Sequence, residues 1–264
     1  MTAFRITLAY DGTGFVGWQR QASGTSIQGL LEDALRELDG RLVTVVGAGR
    51  TDAGVHALGQ VAAFSIDRAI GADVLLRAVN ARLPPAVRIV AAEEAPPGFH
   101  PRFSARKKTY RYRIWNGEVI SPFERQYAWH ITGVLDVERM ASAARLVEGR
   151  HDFAAFQAAG SETQTTEREV FSSRVKISTT EDSVLRVLCG GELIQYEITG
   201  DGFLRHMVRT IVGTLVEIGR GRRSVESIAE TIRTRDRGAA GATAPPEGLF
   251  LVAVSYETLL AAER

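Results

Sequence analysis

Apolar residues along this chain change period from two to about 3.6 and back in a fixed order, and that order limits the fold more than any other feature. Phe4 to Tyr10 alternates, with Phe4, Ile6 and Leu8 on one face of a strand. Thr25-x-x-Gln28 has the form of a capping box. Behind it, Ile27, Leu30, Leu31, Ala34, Leu35 and Leu38 recur at helical spacing, and Gly40 ends the run. Leu42 to Val46 and Gln60 to Ile66 read as strands. Asp73 stands where it caps a helix carrying Leu75, Leu76, Val79 and Leu83, which Pro84-Pro85 stops. Val87 to Ala91 reads as a further strand. The resulting order is β-α-β-β-α-β.

The second half repeats that order with longer pieces. Lys108 to Trp115 is a strand ended by an Asn116-Gly117 turn. Asp136 caps a helix with Met140, Ala143, Ala144 and Val147 on one face. Val170 to Ile177 and Val184 to Ile198 supply strands, Met207 to Ile218 and Ser224 to Ile232 helices, and Leu249 to Tyr256 the closing strand. The expected class is α+β, built as two ferredoxin-like halves. Residues 1–104 form the first half and 105–264 the second, with longer insertions, divided in the Pro- and Gly-rich stretch Pro96 to Ser104. Two such halves could join their sheets and leave a central cleft between them, where sites tend to form.

The single cysteine, Cys189, excludes an internal disulfide and any multi-thiolate metal site. In Val187-Leu188-Cys189 it reads as a buried strand thiol. The five histidines (His56, His100, His130, His151, His206) show no paired ligand spacing, so no metal is expected. No apolar run is long enough to span a bilayer, and Met1 to Arg5 runs straight into a strand pattern, so a cytoplasmic protein is the expectation. A net charge of +1 gives no global sign of nucleic-acid binding. Locally, Arg102, Arg106, Lys107, Lys108, Arg111 and Arg113 interleave with Phe103, Tyr110 and Tyr112, with no acidic residue among them. That mixture suits a phosphate backbone with stacked bases, or else a solvated strand face.

Gly49-Arg50-Thr51-Asp52-Ala53-Gly54-Val55-His56-Ala57 follows directly on the Leu42 to Val46 run. It reads either as a turn that presents an ionised Asp52 beside Arg50 for chemistry or as an ordinary Asp-Gly turn with a surface ion pair. Gly12-Thr13-Gly14-Phe15-Val16-Gly17 has the letters of a dinucleotide fingerprint. The helix opens too late to meet a pyrophosphate, so the glycines fit better as room for RNA or for the Asp52 loop. Arg209 stands alone in the apolar run Met207 to Val216 and must be paired or reach water. It either faces a cleft and pairs with a carboxylate, Asp52 being the attractive partner, or forms a structural pair. Tyr110, Tyr112 and Ile114 share one strand face, and Arg111 and Arg113 the other. Tyr110 is then either a base-stacking ring or core.

Together these residues resemble the TruA family of tRNA pseudouridine synthases. The likeness is carried by Tyr10-Asp11-Gly12 with Gly17 to Gln21, Gly49 to Ala57, Phe99 to Ala105, Lys108 to Tyr112, His206 to Arg209 with Ile211 to Gly213, and Thr243 to Leu249. The family often has Pro where this chain has Ala242. The resemblance implies two ferredoxin-like halves sharing a mixed, mostly antiparallel sheet with helices on one face, and a homodimeric isomerase of uridines 38, 39 and 40 in the tRNA anticodon arm, without metal or organic cofactor. It implies Asp52 as nucleophile, Arg50 as the group that helps extrude the base, Tyr110 as a uracil contact and Arg209 as the partner of Asp52. RNA contacts are expected from Arg20, His56, Arg102, Arg106, Lys107, Lys108 and Arg205. A non-catalytic RNA-binding module and a dinucleotide-dependent enzyme are the competing readings.

Overall fold

The computed structural model describes residues 1–158, 160, 163–178 and 189–256. The chain forms two units, Met1–Lys108 with the chain from Leu251 onward, and Thr109–Phe250. In the first unit the order is β1 (Thr2–Tyr10), α1 (Ile27–Asp39), β2 (Val46–Gly47), β3 (His56–Ile66), α2 (Ala72–Asn80) and β4 (Val87–Glu94). Its strands lie in the order β4-β1-β3, antiparallel, with β2 also paired to β3. Phe4, Ile6 and Leu8 are fully buried, as are the apolar stripe Ile27, Leu31 and Leu35 of α1 and the α2 residues Leu75 and Val79. Burying each such side chain contributes about 1.5–3 kcal/mol.

Three local expectations need correction. The α1 cap is Ser26, whose hydroxyl accepts the Gly29 N–H at 3.1 Å, not Thr25. Ile27 and Gln28 N–H are taken by the Gly17 and Trp18 carbonyls, so the first turn is satisfied by the incoming loop and needs a cap one residue later. Gly71, not Asp73, caps α2; Asp73 lies in the first turn, where its charge complements the helix dipole. Residues 42–45 alternate in burial but form no ladder, and only Val46–Gly47 is a strand. There, α1 side chains take the backbone groups: Glu32 accepts the Val45 N–H at 3.3 Å and Gln28 donates to its carbonyl at 2.9 Å.

The second unit holds most of β5 (Ala105–Gly117), then β6 (Trp129–Ile131), α3 (Val137–Arg145), β7 (Gly149–Asp152), β8 (Glu167–Ile177), β9 (Gly191–Gly200), α4 (Met207–Gly219) and α5 (Ser227–Thr234). The closing strand is β10 (Leu249–Tyr256). Sheet order is β5-β9-β8-β7, and β6 pairs with β5 in parallel, giving an α+β arrangement. Asp136 caps α3 as expected, accepting the Arg139 N–H at 3.0 Å. Asn116-Gly117 is not a turn. Gly117 stays in β5, and a Cβ there would meet the Gly191 Cα at 2.8 Å. The Val184 to Leu188 part of the expected strand lies outside the described residues, and Cys189 is half-buried beside Trp115 and Leu193, ahead of β9. Helix α4 is buried nearly all round, with Arg209 and Glu217 its only residues that reach partial exposure. Among the described residues no helix is long and apolar enough to cross a membrane.

Candidate active site

The Asp52 loop leaves β2 at Gly47 and enters β3 at His56. Its backbone is tied at several points. Lys108 Nζ donates to the Ala48 carbonyl at 2.8 Å, and Gln60 Nε2 to the Gly49 carbonyl at 2.8 Å. The Trp18 N–H donates to the Thr51 carbonyl at 3.0 Å, and the Thr51 hydroxyl bonds the Tyr10 phenol at 2.8 Å. A Val55 N–H to Asp52 carbonyl bond of 3.1 Å closes the turn, with Gly54 at φ +76°. Such a positive φ favours glycine, which has no Cβ to clash. Burial pushes the Tyr10 phenol up to about 12, against the opposing hydrogen bonds of Thr51 and Gln60, so it remains neutral.

The glycine loop after β1 serves this turn. A Cβ on Gly12 would overlap the Val55 carbonyl, and one on Gly17 would come within 2.6 Å of the Thr51 carbonyl. The space expected for RNA or for the Asp52 loop is therefore filled by the Asp52 loop. Helix α1 begins ten residues after Gly17, counting from Gly17 to Ile27, which leaves no helix N-terminus inside the motif.

Within that frame the predicted site residues divide. Asp52 is half-buried. Arg50 is exposed and makes no hydrogen bond or ion pair among the described residues. His56 is 1% exposed, with Nδ1 3.0 Å from the Gly12 nitrogen and 3.2 Å from Asp11 Oδ1. Arg20 is held by Glu32 at 2.8 Å, Asp33 at 3.0 Å and the Gly29 carbonyl. Arg102, Arg106 and Lys107 are exposed, and the Arg102 guanidinium lies 5.7 Å from the exposed Phe103 ring.

The second unit holds Tyr110, Arg205 and Arg209. Tyr110 is buried in β5 and meets Phe203 edge-on at 5.2 Å. Phe203 had no signal in the sequence beyond an aromatic beside Gly202. Arg205 is exposed. Arg209 Nε donates to the Ala244 carbonyl at 2.7 Å, and the Ala244 N–H returns a bond to the Arg209 carbonyl at 3.1 Å. The segment carrying Ala244 is pressed against α4 and β5. A Cβ on Gly213 would overlap the Ala242 carbonyl, and the Tyr112 phenol donates to the Pro245 carbonyl at 2.7 Å. Burial first, and then the Glu247 carboxylate, push the Tyr112 phenol above its ordinary range, while Arg209 pulls it back. His206 opens α4 at φ +65°, a left-handed conformation that costs a non-glycine residue about 1 kcal/mol or more. Arg111 and Arg113 are ion-paired, with Glu197 at 3.0 Å and Glu124 at 2.8 Å. These two members of the basic stretch are thus committed within the protein.

A family model described as tRNA pseudouridine synthase matches residues 6–104 and 143–257. A protein of Solibacter usitatus named tRNA pseudouridine synthase A is 49% identical over 97% of this chain and 100% of its own length. Proteins of the same name from Geobacter sulfurreducens (44% identical, 97% of this chain and 100% of its own) and Myxococcus xanthus (43%, 97% and 92%) are similar over nearly the same span.

Proposed function

This chain belongs to the tRNA pseudouridine synthase family and isomerises uridine in tRNA to pseudouridine, and we propose that it does so with Asp52 as the nucleophile, on uridines 38, 39 and 40 of the anticodon arm. The observation that carries this reading is the Asp52 turn. Its backbone is bonded by Trp18, Gln60 and Lys108 and its Thr51 hydroxyl by Tyr10, while the neighbouring Arg50 stays exposed and unpaired among the described residues. A fixed carboxylate beside an uncommitted guanidinium is what a site needs if it is to take a base out of its stack and react with it.

The reaction breaks the N1–C1′ bond, turns the uracil and joins C5 to C1′; the C5 proton is released and N1 gains one. Nothing else enters or leaves, so the residues need only position, hold and move protons. Attack of Asp52 at C1′ or at C6, or removal of a sugar proton, each requires the ionised carboxylate. Arg209, anchored through Nε to Ala244, is assigned as its cationic partner. Tyr110, braced by Phe203, is assigned to the uracil face, and its phenol to the proton leaving C5. Arg50 fills the stack that the uridine leaves, offsetting an unstacking cost of a few kcal/mol. Arg102, Arg106, Lys107 and Arg205, all exposed, are assigned to the phosphate backbone.

The wider reading is of two ferredoxin-like halves, 1–104 and 105–264, in a cytoplasmic homodimer that works without metal. The β-α-β-β-α-β order of the first unit supports the first half, and a groove shared by two copies would compensate for a net charge of only +1. The test is tritium release from tRNA bearing 5-tritiated uridine, with EDTA present, on transcripts that keep uridine at one of the three positions. Wild-type protein should release tritium from each, and Asp52→Asn should bind the same tRNA and release none. Turnover by the purified Asp52→Asn variant removes Asp52 from the chemistry, and release from other arms removes the assigned positions.

A further inference from the structure

His56 lies in the Gly49 to Ala57 motif at the start of β3 yet is only 1% exposed, which leaves its ring almost no surface to offer a phosphate. The Gly12 N–H donates to its Nδ1 at 3.0 Å. A backbone N–H can be accepted at Nδ1 only if that nitrogen carries its lone pair, which puts the proton on Nε2. Asp11 Oδ1, 3.2 Å from the same nitrogen, already accepts the Thr13 N–H at 2.9 Å. Gly12 is also the residue whose Cβ would overlap the Val55 carbonyl, so this contact sits where the glycine loop and the Asp52 loop touch most closely. His56 directly follows Val55, whose N–H closes the turn on the Asp52 carbonyl.

We propose that His56 is a positioning residue. In its Nε2–H tautomer it accepts the Gly12 N–H at Nδ1, locks the glycine loop to the start of β3, and so fixes the direction in which Asp52 points; it does not bind RNA. The kinetic consequence rests on the reading of Asp52 as nucleophile, whereas the tautomer and the contact do not.

Three substitutions in the full chain separate the alternatives. Asn places an oxygen where Nδ1 stands, Gln places one where Nε2 stands, and Ala removes both. At saturating tRNA, below each variant's unfolding transition, His56→Ala should lower the single-turnover rate about 100-fold with the tRNA Kd changed less than about twofold, the scale expected when a reacting group is misplaced by about 1 Å. His56→Asn should recover most of that rate and His56→Gln should not. Nitrogen-15 spectra of the wild-type imidazole should show an unprotonated Nδ1, and this reading decides the matter by itself if the variants do not fold. A weakened Kd with an unchanged saturated rate, equal recovery by Asn and Gln, or a protonated Nδ1 donating to Asp11 would each overturn the proposal. Turnover by Asp52→Asn would instead sink the nucleophile reading while leaving the tautomer result standing.

Discussion

Two loops govern the residues on which this enzyme's chemistry is proposed to rest, one carrying Asp52 and Arg50 and the other anchoring Arg209, and they are held against different partners. The loop from Ala48 to Val55 is fixed by directional hydrogen bonds from side chains behind it: Tyr10 on Thr51, Gln60 on Gly49 and Lys108 on Ala48. The loop from Gly241 to Gly248 is bonded by Arg209 at Ala244 and by Tyr112 at Pro245, and it is also seated by side chains that are missing. Gly213, Gly241 and Gly248 let backbone lie directly against α4 and Tyr112. Hydrogen bonds set angles, and close packing sets distances. The first arrangement suits a carboxylate whose oxygens must point at one atom, and the second suits a helix that has only to bring a guanidinium to depth.

That contrast breaks most visibly at Asp52→Glu. The added methylene keeps the charge and moves the carboxylate by roughly 1 Å or more on a turn that cannot yield. The rate should fall on the order of 100-fold or more, with thermal stability unchanged. Single-turnover tritium release beside a melting curve measures both. A variant that keeps most of its rate would mean that the first loop adapts, and the distinction between the loops would go.

The sequence showed the two loops unequally. Alternation in Phe4 to Tyr10 and the helical stripe of α1 were plain because burial on one face enforces them. The approach of the glycine loop to the Asp52 loop could be read from glycines where a dinucleotide helix was lacking. The supports could not: Gln60 and Tyr10 look like strand residues, and only tertiary pairing turns them toward the loop. Lys108 was expected among RNA contacts because nothing in a run of basic residues marks the one that bonds Ala48. Residues 42–45 kept the strand period and lost the ladder, since Gln28 and Glu32 of α1 satisfy Val45 instead. Helix ends slipped by one or two residues where several cap residues stood together.

The second loop breaks at Gly213. Gly213→Ala puts a methyl into the Ala242 carbonyl, and Arg209 lies one helical turn away, bonded to Ala244. Overpacking of this kind costs about 1–3 kcal/mol. Urea unfolding should show that loss, and the rate should fall with it because the Arg209 anchor shifts. Wild-type stability in the Gly213→Ala variant would mean that the loop is not held by close packing.

A smaller effect is expected at Tyr10→Phe, which leaves the ring contact with Trp18 (6.4 Å between centroids) and deletes one bond of the first loop. The loss should be about 1 kcal/mol in urea unfolding, with the remaining supports limiting the fall in turnover to several-fold. A larger loss of rate than of stability would single out Thr51 as the part of the loop that aims Asp52.

The smallest difference is one of pH, because each loop leans on a phenol. Both Tyr10 and Tyr112 are pushed up by burial, Tyr10 to about 12. Tyr196 and Tyr256 are raised by burial as well. A raised acid binds its proton more tightly in the folded state, so between the ordinary value of about 10 and the folded value the unfolded chain holds fewer protons, and stability falls as pH rises. Below about pH 10 the contribution is complete. Unfolding by urea across an alkaline series should therefore decline from about pH 10, and Tyr10→Phe should decline less steeply through the window that ends near 12. The other raised phenols, Tyr112 among them, contribute to its residual slope.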